Sequence, residues 1–156
     1  MLLAIYLNDH LAGATAGREL ARRAAAHNRG SSYGEFLEQL AGEIEEDRES
    51  LLEAMRSTGV GRDRLKVIAG WGAEKLGRLK LNGRLLGYSP LSRVVELEAL
   101  ALGVSGKLAL WRSLTELQAE RPELAEIDLP RLIGRAELQL SRLELQRRRA
   151  VAQAFG

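Results

Sequence analysis

Apolar residues recur at helical spacing along most of the chain, and no segment makes a convincing strand. Capping residues and helix breakers divide this pattern into five predicted helices. They cover residues 2–27, residues 32 to just before 57, residues 63–80, residues 89 to about 121, and residues 128 to the C-terminus. The pattern therefore predicts an all-α protein.

The predicted boundaries rest on local chemistry. Asn28-Arg29-Gly30 is a good left-handed stop for the first helix, and the segment from Ser32 to Glu35 fits a capping box at the start of the second. Ser89 followed by Pro90 predicts a cap with proline in the first helical position. Pro122 disfavours helix at the residue before it, so the fourth helix should end near that point.

The lengths of the connections predict the topology. Only a few residues join the first helix to the second and the fourth to the fifth, and short links produce antiparallel hairpins. A stretch of roughly thirty residues, which contains the third predicted helix, separates the two hairpins. We therefore expect two long helical hairpins joined by one long crossover, in a single domain over residues 1–156.

Composition narrows the function classes. The chain has 156 residues, 46% of them apolar and only 4% aromatic, which favours one helical domain. It has no cysteine, so disulfides, thiolate zinc sites and a cysteine nucleophile are excluded. Its start lacks a basic leader, and its longest apolar stretch, residues 99–106, is far below the roughly 20 residues that span a bilayer. A soluble cytoplasmic protein with no membrane association is expected.

The net charge of +2 says little about partners, but its distribution is uneven. Eight acids and one arginine give residues 30–55 a net charge of −7, and eight bases and two acids give residues 56–84 a net charge of +6. Neighbouring segments of opposite sign are expected to pair with each other and not to recruit nucleic acid.

Ionisable groups stand where a plain bundle would place leucine or alanine. His10 lies in an apolar part of the first helix, Asp47 completes the apolar stripe of the second, and Glu98 has apolar neighbours on the fourth. Lys75 falls in the stripe of the third predicted helix, and Glu137 lies beside apolar residues of the fifth. Because a buried unpaired charge is costly, each must be paired, protonated or bound to metal.

Two interpretations of these residues stay open. In the first, His10, Asp47, Lys75 and Glu98 form an interior polar cluster, which would help to specify the fold. In the second, His10, Asp47, Glu98 and Glu137 bind iron or manganese from four helices, since carboxylates and imidazole suit these metals. The first interpretation is favoured, with no cofactor.

The crossover topology, Asn8-Asp9-His10 and the acidic run from Glu43 to Asp47 resemble the ferritin-like superfamily. The resemblance covers nearly the whole chain as architecture and implies a ferritin-like four-helix bundle with an extra helix in its crossover. Di-iron members carry Glu-x-x-His on two of their helices. Here Glu144-Leu-Gln-Arg147 has arginine in place of histidine, so the resemblance implies a divergent branch with a lost or remodelled metal site.

The remaining signals are weaker. Arg78, Lys80 and Arg84 form the best basic patch for a phosphate or a nucleic acid, but alternating leucines predict that this segment packs. The chain contains no complete nucleotide-binding or hydrolase motif, and this disfavours an enzymatic function. Apolar residues on more than one helix face favour a homodimer. The sequence thus predicts a non-enzymatic structural or interaction protein, and a divergent redox or oxygen-handling metalloprotein is the alternative.

Overall fold

The computed structural model describes residues 1–61 and 88–156. In these two ranges the chain forms α1 (Leu2–His27), α2 (Ser32–Ser57), α3 (Pro90–Leu117) and α4 (Leu129–Phe155), with a short 3-10 turn at Pro122–Leu124. The described residues contain no strand. The all-α prediction is confirmed, whereas the helix predicted over residues 63–80 lies outside the described residues.

The link between α1 and α2 is a tight turn. Gly30 has a φ of 78°, a left-handed conformation that favours glycine, so the predicted stop is confirmed. The cap of α2 is Ser31, whose hydroxyl accepts a hydrogen bond of 3.3 Å from the backbone N–H of Gly34. The cap predicted at Ser32 is therefore one residue too late, because a capping side chain serves the third residue after itself.

The ends of α3 and α4 follow the predicted signals in part. Ser89 caps α3 with Pro90 in the first turn, and Asp128 caps α4 by accepting from the N–H of Arg131 at 3.1 Å. The end of α3 differs from the prediction, because the helix stops at Leu117 and residues 118–120 form a turn.

Side-chain contacts give the direction of each neighbouring pair. Tyr6 near the start of α1 donates to Ser113 near the end of α3 at 3.1 Å, and Arg93 near the start of α3 donates to Asn28 after α1 at 2.7 Å. Helices α1 and α3 are therefore antiparallel.

Side-chain contacts also show that α2 lies beside α4 and runs antiparallel to it. Tyr33 near the start of α2 donates to Gln153 near the end of α4 at 3.2 Å, and Arg135 in the first half of α4 contacts Asp47 in the second half of α2. The order around the bundle is α1, α2, α4, α3, with every neighbour antiparallel. It follows that α2 and α3 point in the same direction.

The core runs along the bundle axis. Its largest fully buried side chains among the described residues are Trp111, Met55 and ten leucines. None of the described helices carries an apolar stretch long enough to cross a membrane.

Candidate functional site

Asp47 occupies a core position of α2. One series of its buried side chains is spaced alternately by three and four residues, which is the spacing of a helix face that packs against its neighbours in a bundle. The members of this series are Leu37, Leu40, Ile44, Asp47, Leu51 and Ala54. Asp47 has an exposed fraction of 2%, so the prediction that it faces the interior is confirmed.

Polar residues hold the matching positions of α3 and α4. Lys107 falls in the α3 series of Leu97, Leu100, Val104, Lys107, Trp111 and Leu114. Gln139 falls in the α4 series of Leu132, Ala136, Gln139, Leu143 and Ala150. We use the name interior network for the cluster that these residues build: Glu43, Asp47, Lys107, Arg135, Gln139 and Arg142.

Asp47 lies at the centre of the interior network. Its Oδ2 accepts from Nζ of Lys107 and, at 3.3 Å, from Nε2 of Gln139, while its Oδ1 accepts from Nη2 of Arg135. Gln139 also accepts from Lys107 and donates to Oε2 of Glu43 at 3.0 Å. Both carboxylate oxygens of Asp47 are thus bonded, and the donors come from two different helices.

The interior network continues to the surface between α2 and α4. Arg142 donates to Oε1 of Glu43 at 2.8 Å, and Arg135 also donates to Glu46, whose side chain is 70% exposed. The acidic residues of α2 in this network therefore pair with basic side chains of α3 and α4. The basic segment that the charge pattern paired with them lies mostly outside the described residues.

Burial and pairing set the charge states of the interior network. Burial lowers the pKa of Lys107, and the Asp47 carboxylate opposes that shift. Burial acts to raise the pKa of Glu43, but the hydrogen bonds from Arg142 and Gln139, together with the charges of Arg142 and Arg135, outweigh it and hold this pKa below its usual value. Burial acts to lower the pKa of Arg135, but the charges and hydrogen bonds of Asp47 and Glu46 together outweigh it and raise this pKa. Each charge is stabilised by its partner of opposite sign.

His10 lies near Asp47 but does not join the interior network. The structure describes no hydrogen bond between the two residues; the His10 ring meets the Tyr6 ring edge-on, with 4.6 Å between centroids. Burial lowers the pKa of His10, which favours the neutral imidazole. Lys75, the cation predicted for this cluster, lies outside the described residues, and Lys107 contacts Asp47.

The prediction that Glu98 faces the interior is wrong. Its side chain is 50% exposed and lies 3.8 Å from Arg147 on α4. Glu96, two residues earlier on the same helix, is the buried carboxylate, with an exposed fraction of 9%. The reason is helical phase, because the buried series of α3 passes through Leu97 and Leu100 and brings residue 96 to its edge.

The predicted metal set does not converge. Glu98 pairs with Arg147, and Glu137 is 53% exposed and pairs with Arg112 at 2.8 Å. In residues 1–61 and 88–156, no three His, Asp or Glu side chains are grouped closely enough to hold a metal ion. The four-ligand arrangement predicted from His10, Asp47, Glu98 and Glu137 is therefore wrong. The predicted phosphate or nucleic-acid residues, Arg78, Lys80 and Arg84, lie outside the described residues.

A second polar cluster closes the end of the bundle where α1 ends and α3 begins. Tyr88 donates to Oε2 of Glu96 at 3.0 Å and accepts from Nδ2 of the buried Asn28 at 2.5 Å. His27 lies 3.7 Å from the Glu96 carboxylate. Burial raises the pKa of Glu96, and burial with the nearby carboxylate raises the pKa of Tyr88 to about 12.

The Tyr88 cluster predicts a pH-dependent stability. Tyr88→Phe should lower the free energy of unfolding by about 1 kcal/mol near neutral pH, because Glu96 loses a hydrogen bond. The folded chain keeps the phenol proton up to a pKa of about 12, against 10 when unfolded. This contribution is therefore complete below pH 10 and is lost as the pH rises towards 12. Urea unfolding of both proteins at about pH 8 and about pH 11 should show the difference shrinking, and a constant difference would contradict the assignment.

A cavity of about 210 Å³ lies beside the interior network, between α1, α2 and α3. Its polar lining consists of Asp9, His10, Asp47, Arg48 and Lys107, and Trp111 and several small residues form much of the rest. The cavity thus places an apolar space against ionisable side chains of both signs.

Sequence reasoning missed Lys107, Arg135 and Gln139. The signal for Lys107 and Gln139 was present, because each interrupts an apolar series spaced alternately by three and four residues, as Asp47 does. Arg135 carries no such signal, since it reaches Asp47 from the edge of α4.

Comparison of the sequence with protein-family models and curated proteins, and of the fold with solved structures, found no match.

Proposed function

We propose that this protein is a non-enzymatic helical bundle of ferritin-like connectivity that acts by association with a second copy of itself. The support for the connectivity is the common direction of α2 and α3, while every neighbouring pair is antiparallel. A bundle made of two hairpins joined by one long crossover has this arrangement.

The observation that best supports the proposal is that both carboxylate oxygens of Asp47 are occupied by hydrogen bonds. A carboxylate that served a reaction would keep an acceptor free for a substrate, a proton or a metal. Both oxygens of Asp47 instead accept from Lys107, Arg135 and Gln139. The interior network then has a structural role, in which one polar layer joins the two hairpins in a single register.

The association surface proposed for the bundle is the outer face of α3. Leu91 and Leu102 lie three helical turns apart on this face, with exposed fractions of 52% and 75%. Ala109 continues the same face and is also exposed. A second copy that packed its α3 against this face would bury these apolar side chains, which favours a homodimer.

Sedimentation equilibrium tests the association. The protein is expected to dimerise at micromolar concentrations, and Leu102→Lys should weaken dimerisation by at least about tenfold because it places a charge in the interface. Leu138→Lys is the matched control, since Leu138 is an exposed leucine of α4 and lies outside the proposed surface. A monomeric wild-type protein, or equal weakening by both substitutions, would contradict the proposed surface.

A further inference from the structure

The outer face of α3 carries two charges of opposite sign with an uncharged surface between them. Glu98 and Arg112 have side chains that are 50% and 60% exposed. They lie about 21 Å apart along the helix, which is nearly four turns. Leu102, Ser105 and Ala109 lie between them on the same face, and all three are exposed. A partner that covers this surface therefore meets a negative charge at one end and a positive charge at the other.

The two charges are placed symmetrically about Ser105. Each is seven residues from it, which is close to two helical turns, so the three side chains form nearly one row along the helix. A two-fold axis at Ser105, perpendicular to α3, would place Glu98 of one copy opposite Arg112 of the partner subunit, and the reverse. Parallel packing of the same faces in register would instead bring each charge against its own copy, which is unfavourable.

Both charged side chains can make further contacts. The distance from Glu98 to Arg147 is 3.8 Å, which is longer than a hydrogen bond. Arg112 donates to Glu137 at 2.8 Å, and a guanidinium has five N–H donors. An ion pair between two copies would therefore add to the contacts within each chain without replacing them.

We propose that two copies of this protein associate through antiparallel α3 helices, with Ser105 at the two-fold axis and two Glu98–Arg112 ion pairs across the interface. This inference rests on the self-association proposed above and adds its direction, its register and its charged residues. Leu102 lies near Ala109 of the partner subunit in this arrangement. The apolar contact provides affinity, and the ion pairs select the antiparallel direction.

Charge reversal tests the pairing by sedimentation equilibrium. Glu98→Arg and Arg112→Glu should each weaken dimerisation by at least about tenfold, because each places like charges opposite each other at two positions. The double variant has the charges exchanged in both pairs, so its dissociation constant should return to within about threefold of the wild type. Both side chains are exposed, so the variants should fold, as circular dichroism can verify. A double variant as weak as the single variants would overturn the pairing.

Disulfide crosslinking tests the register independently. The chain contains no cysteine, so a single introduced thiol can link only to its own counterpart. Ser105→Cys should form a covalent dimer under mild oxidation, because residues at the axis come close together. Leu91→Cys is the control on the same face, since its counterpart across the axis would be about 42 Å away, and it should stay unlinked.

The outcomes separate this inference from the self-association itself. A wild-type protein that stays monomeric would overturn both. A dimer that Leu102→Lys weakens, but whose Leu91→Cys variant crosslinks or whose Ser105→Cys variant does not, would retain the α3 surface and overturn the antiparallel arrangement.

Discussion

Asp47→Asn is expected to lower the free energy of unfolding by about 3–5 kcal/mol, the range found when one partner of a buried ion pair is removed. The substitution keeps the size of the side chain but removes the charge that Lys107 and Arg135 share. Two cations would then lie beside each other without a central anion, in a position where Asp47 is only 2% exposed. The loss follows mainly from the uncompensated cations and only secondarily from the hydrogen bonds.

Urea unfolding followed by circular dichroism gives this free energy directly. Glu46→Gln is the matched control, because Glu46 also accepts from Arg135 but has a side chain that is 70% exposed. Its loss should stay below about 1 kcal/mol, as for other exposed ion pairs. Equal losses from the two substitutions would contradict the claim that the burial of Asp47 makes its ion pairs more important for stability than an exposed pair.

Gly34→Ala is expected to lower the free energy of unfolding by about 1–3 kcal/mol, the usual cost of overpacking. A Cβ on Gly34 would lie 2.4 Å from the carbonyl oxygen and 3.0 Å from the carbonyl carbon of Asn28. These are backbone atoms, so relief requires the α1–α2 turn to shift. That shift would also disturb the Asn28 side chain, which bonds Tyr88 and Arg93.

Gly42→Ala, in the same helix, is expected to raise the free energy of unfolding and not to lower it. An added Cβ at Gly42 meets nothing within 4 Å, and the residue is exposed, so only the better helix propensity of alanine counts. The expected change is a gain of about 0.5–1 kcal/mol. Thermal unfolding of both variants checks the pair, and a Gly34→Ala protein as stable as Gly42→Ala would show that the α1–α2 turn tolerates a Cβ.

Much of the fold could be predicted because its signals are local. Helix ends are encoded by short-range chemistry, so Gly30, Ser89 and Asp128 marked three of them correctly. The burial of Asp47 was also predictable, since a single helix carries the whole alternating series that surrounds it.

The partners of Asp47 could not be predicted in the same way. Periodicity shows which face of a helix is buried but not which residue of another helix lies opposite. Lys107 and Arg135 are 60 and 88 residues away from Asp47 in sequence, so their contacts depend on how the helices pair. Glu98 was misplaced for a related reason, since an error of two residues in the phase of α3 exchanges its buried and exposed carboxylates.

The interior network also explains why a polar layer would persist in an otherwise apolar core. Replacing a buried ion network with apolar residues often leaves stability unchanged or improves it, so stability alone does not account for the layer. A polar layer does penalise a bundle in which one helix slides along its neighbour, because Asp47 would lose its donors. We therefore expect the interior network to fix the register between the two hairpins.

The most direct test of the central claim is a double-mutant cycle between Asp47 on α2 and Lys107 on α3. The free energies of unfolding of the wild type, Asp47→Asn, Lys107→Met and the double variant give the coupling between the two side chains. An interior network that joins these helices predicts a favourable coupling of about 1–3 kcal/mol, with the double variant more stable than the sum of the single losses implies. Additive losses, with a coupling near zero, would contradict the account.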